Sequence, residues 1–283
     1  MFVAESVLFQ FWGILVATVP VSVIIPCYEC ANTIERALAS VASQSYRPAE
    51  LITVDDASND FTLQKLFELK KRYGEEWIKV IPLERNCGPA AARNVGWETA
   101  TEKYLAFLDA DDAWHPHKIE IQYTWMTRHP EVVLTGHRCL FINSKVADPR
   151  LAENWGAFRV RPLRLLISNK FLTRSVMLLR ELPYRFNKDK RYSEDYLLWL
   201  EIVLNGNIAW YLDLAMGYFY KAPFGEGGLS GSLLNIEKGE LDTYWRLYRQ
   251  GLLSGFLTVC LTMFSLVKHL RRWVIRLLPS FSG

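Results

Sequence analysis

The chain lacks most of the features that would place it in a specialised class. Only 5 of its 283 residues are cysteine, 12 are proline and 16 are glycine. That excludes a disulfide framework, a collagen-like repeat and a Pro/Gly-rich disordered chain. A surplus of one charge is also missing, since 33 Lys and Arg stand against 30 Asp and Glu. A formal charge of +3 is far from the basic excess of a nucleic-acid binder. The sequence shows no internal repeat, no Walker-type Gly–Lys loop and no G-x-G-x-x-G fingerprint, so two common glycine-built phosphate cradles are excluded. What is abundant is apolar residues, 50% of the chain, enough to bury one large core or two small ones.

The five cysteines, Cys27, Cys30, Cys87, Cys139 and Cys260, are odd in number and scattered, which suits a reducing compartment. Cys27 and Cys30 form a C-x-x-C without the second pair of a structural zinc site or a thioredoxin-like setting. They read as small space-filling residues near a turn.

Both ends are apolar. Val7 to Val19, closed by Pro20, has neither a signal peptide's basic lead nor its cleavage site. At about 14 residues it is also short of the roughly 20 that cross a bilayer. It is expected to be interfacial or an extra element on the domain. Gly251 to Val267 carries no charge and is followed by Lys268, His269, Arg271, Arg272 and Arg276. A run of about 17 residues sits at the bottom of the spanning range. Its basic continuation is patterned like an interfacial helix on anionic lipid. The alternative is a C-terminal helix packed on the domain.

Between these ends strands and helices alternate. Val21–Ile25, Leu51–Val54, Ile78–Pro82 and Tyr104–Leu108 read as buried parallel strands. Helices are expected from a capping-box-like Asn32-Thr-Ile-Glu35, over Leu63–Tyr73, and from Pro89 to about Thr99. This order predicts a doubly wound, mostly parallel α/β sheet with helices on both faces. Asp55 and Asp56 end the second strand, and Asp109, Asp111 and Asp112 follow the fourth. Ligands of open α/β sheets sit beyond the carboxyl ends of strands, so the two acidic clusters should meet in one crevice. Carboxylates spaced as in Asp109-x-Asp111 suit a hard cation, Mg²⁺ or Mn²⁺, that also takes substrate phosphates.

Several blocks together resemble family 2 glycosyltransferases. They are Val21-Ser-Val-Ile-Ile-Pro-Cys-Tyr28, Val54-Asp-Asp-Ala-Ser-Asn-Asp60, Asn86-Cys-Gly-Pro-Ala-Ala-Ala-Arg-Asn94, Phe107-Leu-Asp-Ala-Asp-Asp112 and Ser193-Glu-Asp-Tyr-Leu-Leu-Trp199. They stand in the family's order across roughly residues 21 to 222. The resemblance implies a GT-A fold with added C-terminal helices, a nucleotide-diphosphate sugar donor such as a UDP-sugar, a divalent metal, and inversion at the anomeric carbon. It implies that Pro26 and Tyr28 line the nucleoside pocket, that Asp56 accepts a hydrogen bond from the base, and that Asp55 supports the turn. Arg93 would face the donor, Asp109 and Asp111 would serve the ribose and the metal-bound diphosphate, and Asp195 would be the general base.

An inverting displacement needs such a base for the acceptor hydroxyl. Ser193 is expected to cap an apolar, buried helix that fixes Asp195 in its first turn. The plainer reading is that Glu194 and Asp195 only complement the helix dipole.

Three departures from the family pattern stand out. Glu29 replaces a usual Asn after the tyrosine. No clear His or Arg occurs around Tyr218 to Ser232, a glycine-rich stretch that could be a mobile loop over the site or an ordinary connection. His269-Leu-Arg-Arg-Trp273 only partly matches a processive synthase's Q-x-x-R-W, so limited transfer is expected over polymerisation. His115 and His117 read as helix-start residues rather than metal ligands, and His137 as a residue that could face the acceptor.

The expected division is an apolar segment over 1–20, a nucleotide-sugar half over 21–115, an acceptor half over 116–235, and a helical, membrane-associated tail over 236–283. In the acceptor half, aromatics could stack on sugars, and Lys170 and Arg174 could meet an anionic acceptor. The acceptor class is a glycan or lipid-linked hydroxyl, not a nucleic acid, reached from the cytoplasmic face of a membrane. The competing functions are a non-catalytic scaffold of the same fold and a sugar nucleotidyltransferase. The scaffold is disfavoured by the intact acidic set. The nucleotidyltransferase is disfavoured because no glycine-rich loop follows the first strand.

Overall fold

The computed structural model describes residues 8–11, 14–142, 151–152, 154–221 and 233–277. In chain order the elements are β1 (Leu8–Phe11), β2 (Ile14–Cys27), α1 (Ile34–Ala42), β3 (Tyr46–Asp55), α2 (Thr62–Tyr73), β4 (Ile78–Pro82), α3 (Pro89–Thr99), β5 (Tyr104–Phe107) and β6 (Ala113–Trp114). There follow α4 (Lys118–Arg128), β7 (Val132–Phe141), β8 (Ala157–Arg159), α5 (Pro162–Ile167), β9 (Met177–Leu179), α6 (Glu194–Leu204), β10 (Ile208–Phe219), α7 (Leu233–Arg249) and α8 (Gly255–Leu277). One sheet runs in the order β4-β3-β2-β5-β9-β7-β10-β6, with β1 added to β2 and β8 to β10. The pairs β4–β3, β3–β2 and β2–β5 are parallel, and β9 is antiparallel to both β5 and β7.

Alternation along the strands divides the core between two faces. Val21, Val23 and Ile25 join Leu51 and the buried side of α1, whereas Ile24, Ile52 and Val54 join Trp97, Phe107 and the residues of α6. Helix α3 lies against the second face at its closest on Gly96, where an added Cβ would come within 2.5 Å of Ile24 Cγ2.

The first half follows the sequence reading closely, with two differences. Strand β1 and the start of β2 at Ile14 together absorb most of the apolar N-terminal segment. Pro20 is tolerated inside β2 because the pairing with β3 slips between Val19 and Ser22, and a bulge is where a strand can lack an N–H. No capping box forms at α1: Thr33 makes no cap hydrogen bond, and its hydroxyl donates to the Cys30 carbonyl instead. Beyond the first half, Val132–Thr135 and Arg138–Ile142 each read as a short β segment in the sequence, and they are one strand, β7. Its parallel partner β10, which ends beside the site, was not anticipated.

Candidate active site

The chain leaves β2 for β3 and β4 on one side and returns to β5 on the other. This reversal opens a crevice at the carboxyl ends of β2, β3 and β5, where such sheets take ligands. It holds a cleft of about 1200 Å³ whose walls include Pro26, Tyr28, Asp56, Arg93, Asp109, Asp111 and Asp195. These residues, expected to serve donor, metal and base, line one cleft, whereas His137 and Lys170, expected toward the acceptor, do not.

The outer wall is built by turns under strain. Glu29 and Ala57 have φ of 46° and 55°, a left-handed conformation that disfavours side chains other than Asn or Asp. The Glu29 N–H donates to Ser58 Oγ at 3.0 Å, and that hydroxyl donates to Asp55 Oδ1 at 2.6 Å. Asp55 thus ties the β3 turn to the β2 turn, the supporting part expected of it. Asp56 is 3% exposed and accepts the N–H groups of Cys87 at 2.7 Å and Gly88 at 2.8 Å. Its carboxylate fixes the loop that starts α3, and Gly88 makes the turn possible at φ 84°. Tyr28, 46% exposed, presents an open aromatic face beside it.

The inner wall is a charge network. Buried Arg93 donates to Asp109 Oδ1 at 2.8 Å and to Glu194 Oε1 at 2.9 Å. Burial acts to lower its pKa, but Asp109 and Glu194 outweigh it and hold the guanidinium firmly charged. Each terminal nitrogen of Arg93 thus holds a carboxylate, and the residue lines the cleft on the side where the sequence reading set a donor. Arg174 pairs with Asp112 at 2.7 Å and with Asp109 at 3.7 Å. Lys221, just past β10, pairs with Asp111 at 2.8 Å, and Arg36 donates to the Asp111 carbonyl. Burial raises the Asp109 pKa, but Arg93 and Arg174 overcome that and keep it below the usual carboxylate range.

Asp195 stands in the first turn of α6, accepting from Thr173 Oγ1 at 3.1 Å and from the Tyr196 N–H at 2.7 Å. Burial first, and the neighbouring Glu194 second, push its carboxyl up to about 6. Ser193 does not cap the helix as expected. It adopts φ 57° and makes no side-chain cap bond, so Asp195 is oriented by Thr173 from the turn before β9.

Asp109 and Asp111 are the residues that could hold a divalent cation, and each is paired here with a basic side chain. Asp109 and Asp111 offer hard oxygens from one turn, and burial with the charge of Asp109 pushes Asp112 up to about 8. Among the described residues no group of three or more His, Cys, Asp or Glu is arranged to hold a metal. A cation here would depend on two protein carboxylates and on oxygens brought by a ligand, a donor set that Mg²⁺ and Mn²⁺ accept.

Arg174 belongs to this wall, where the sequence suggested an acceptor contact. Lys221, Glu194 and Thr173 were missed as site members. Only the pairing of Glu194 with the expected Asp195 hinted at one of them, because Thr173 and Lys221 lie in segments with no motif. His137 does not face the cleft: it is 1% exposed, and burial, then Lys118, push its pKa down to about 3. His115 is buried, whereas exposed His117 precedes α4 and bonds Glu120 at 2.8 Å. Cys27 and Cys30 are buried, unbridged, and at the cleft's edge. Within the glycine-rich stretch, residues 222–232 lie outside the described residues.

Residues 22–185 match the sequence profile of glycosyl transferase family 2. A UDP-Glc:alpha-D-GlcNAc-diphosphoundecaprenol beta-1,3-glucosyltransferase of Escherichia coli, WfgD, is 31% identical over 189 residues, spanning 67% of this chain and 72% of that protein. The crystal structure of S. aureus TarS 1-349 in complex with UDP-GlcNAc superposes with a TM-score of 0.68 at 23% identity, over 89% of this chain and 72% of that one. The mannosyltransferase PcManGT from Pyrobaculum calidifontis, in complex with GDP-Man and Mn2+, gives 0.60 at 18% identity, over 81% and 64%. Both solved structures share the GT-A fold with this chain.

Proposed function

The chain belongs to glycosyl transferase family 2, and on that premise we propose that it transfers a sugar from a nucleoside-diphosphate donor, a UDP-sugar, to a hydroxyl acceptor with inversion. The observation that carries this reading is the convergence of Pro26, Tyr28, Asp56, Arg93, Asp109, Asp111 and Asp195 on one cleft. Pro26, Tyr28 and Asp56 would hold the nucleoside, with Asp56 also holding the Cys87–Gly88 loop. Asp109 and Asp111 would hold Mn²⁺ or Mg²⁺ together with the donor diphosphate. When bound, the cation supplies charge neutralisation to the departing nucleotide.

Arg93 braces Asp109 against Glu194, fixing the distance between the donor side and α6. Asp195 removes the acceptor's proton as the new bond forms, and a carboxylate raised to about 6 is a better base than an ordinary one. The acceptor would be a sugar hydroxyl on a lipid-linked diphosphate, the class named for the Escherichia coli relative, met at the cytoplasmic face of a membrane.

Replacing Asp195 by Asn tests the assignment. A positioned general base contributes about 10²–10⁴ in rate, so transfer should fall by that much while UDP affinity, read by calorimetry, stays within about twofold. Turnover near the wild-type rate would remove Asp195 from the chemistry.

A further inference from the structure

Helix α8 is apolar on both faces, with Leu257 and Leu261 meeting the core. The face turned to the protein carries Thr258 and Ser265, both fully buried, with Leu261 between them. The face turned to solvent carries Phe256, Val259, Met263, Val267 and Leu270, each between 48% and 82% exposed. Steps of three and four residues put these on one stripe, on the face where a helix that packs in water is polar. Packing on the domain therefore leaves this stripe unexplained.

The helix is nevertheless firmly docked. Lys268 donates to Glu240 of α7 and to the Ile167 carbonyl at 3.2 Å. Among the described residues no helix is long and apolar enough to cross a membrane.

Charge points to what covers the stripe. Residues 233–283 hold seven Lys and Arg against three Asp and Glu, so this segment alone exceeds the whole chain's net charge. Arg271, exposed at the stripe's end, has no acidic partner among the described residues. Beside the stripe opens a second cavity of about 600 Å³, lined by Phe264, Val267, Lys268 and Arg271 on one side and by Ser193 and Asp195 on the other. Ser193 and Asp195 also line the donor cleft. The cavity thus leads from the exposed stripe to the carboxylate assigned as base.

We propose that α8 lies in the surface of an anionic bilayer with its apolar stripe in the lipid, and that this seats the mouth of the second cavity against the membrane, so that an amphipathic acceptor enters there with its anionic head at Arg271, beside the Lys268–Glu240 pair. The part played by the acceptor rests on the transferase reading; the docking of α8 does not. An in-plane helix with an apolar face and basic flanks binds through both terms.

The test is co-sedimentation of the full chain, without donor or metal, with vesicles of phosphatidylglycerol or of phosphatidylcholine. Binding to the anionic vesicles is expected, at least tenfold weaker on the neutral ones and at least tenfold weaker in the Phe256→Glu, Met263→Glu double variant with an unchanged melting temperature. A bimane on Ser168→Cys, in a Cys87→Ser, Cys260→Ser background, reads the cavity mouth and should be quenched by doxyl-labelled lipid. No binding to either vesicle, binding that the double variant retains, or an unquenched cavity label would overturn the proposal. So would a concentration-dependent dimer abolished by Met263→Glu in a chain that ignores vesicles, because a second copy would then cover the stripe. Since no sugar enters the assay, vesicle binding can survive the failure of the transferase reading, and the reverse also holds.

Discussion

At the scale of single residues, the cleft concentrates costly conformations and costly charges. Asp195 must be ionised to take a proton, and burial with Glu194 has raised its pKa to about 6. Transfer should therefore be lost as pH falls: kcat/KM, which reports the free enzyme's groups, should drop about tenfold per pH unit below about 6. In Glu194→Gln the neighbouring charge is gone, so that limb should move to lower pH. A limb that stays in place would show that Glu194 does not act on Asp195. Glu29 makes a separate prediction, about stability. Its φ of 46° costs about 1–2 kcal/mol for an ordinary side chain, a cost that Asn avoids in part. Glu29→Asn should raise Tm by about 2–4 °C per kcal/mol recovered, and a fall in Tm would mean that the hydrogen bond between the Glu29 and Tyr28 side chains outweighs the strain.

At the scale of elements, the strands of the first half were legible because they are buried on both faces and read as short β-branched runs between turns. Strand β4 and helix α3 occupy the bounds read from sequence. Strand β10 was not legible, because Ile208–Phe219 has an irregular burial pattern and pairs with β7 through register shifts. The capping box expected from Asn32 failed because the N-cap falls one residue later, on Thr33, and both Thr33 and Ser193, where a cap was also expected, have a backbone conformation unlike the extended one a capping side chain needs. The contact of α3 on β2 can be tested directly. Gly96→Ala puts a Cβ 2.5 Å from Ile24 Cγ2 and should cost about 1–3 kcal/mol by overpacking. Adding Ile24→Val should return part of that loss in a double-mutant cycle. Purely additive losses in denaturant would place the clash elsewhere.

At the scale of the whole molecule, the candidate site was more legible than the fold around it. Five short motifs, far apart in sequence, name residues that the sheet reversal must bring together. The cations that balance them, Arg174 and Lys221, come from segments where sequence offers no pattern, and only the assembled fold delivers them. The near-neutral total also conceals a division into an acidic cleft and a basic helical end.

The central claim is that this cleft takes a nucleotide sugar with a divalent cation and hands the sugar on past Asp195. It is tested most directly by release of nucleoside diphosphate from a panel of UDP-, GDP- and dTDP-sugars, incubated with the full chain and a lipid-linked sugar acceptor in Mn²⁺, Mg²⁺ or chelator. The account predicts release from a UDP-sugar that needs acceptor and cation and is lost in Asp195→Asn. No release from any donor with either cation, or equal release in chelator, would contradict it.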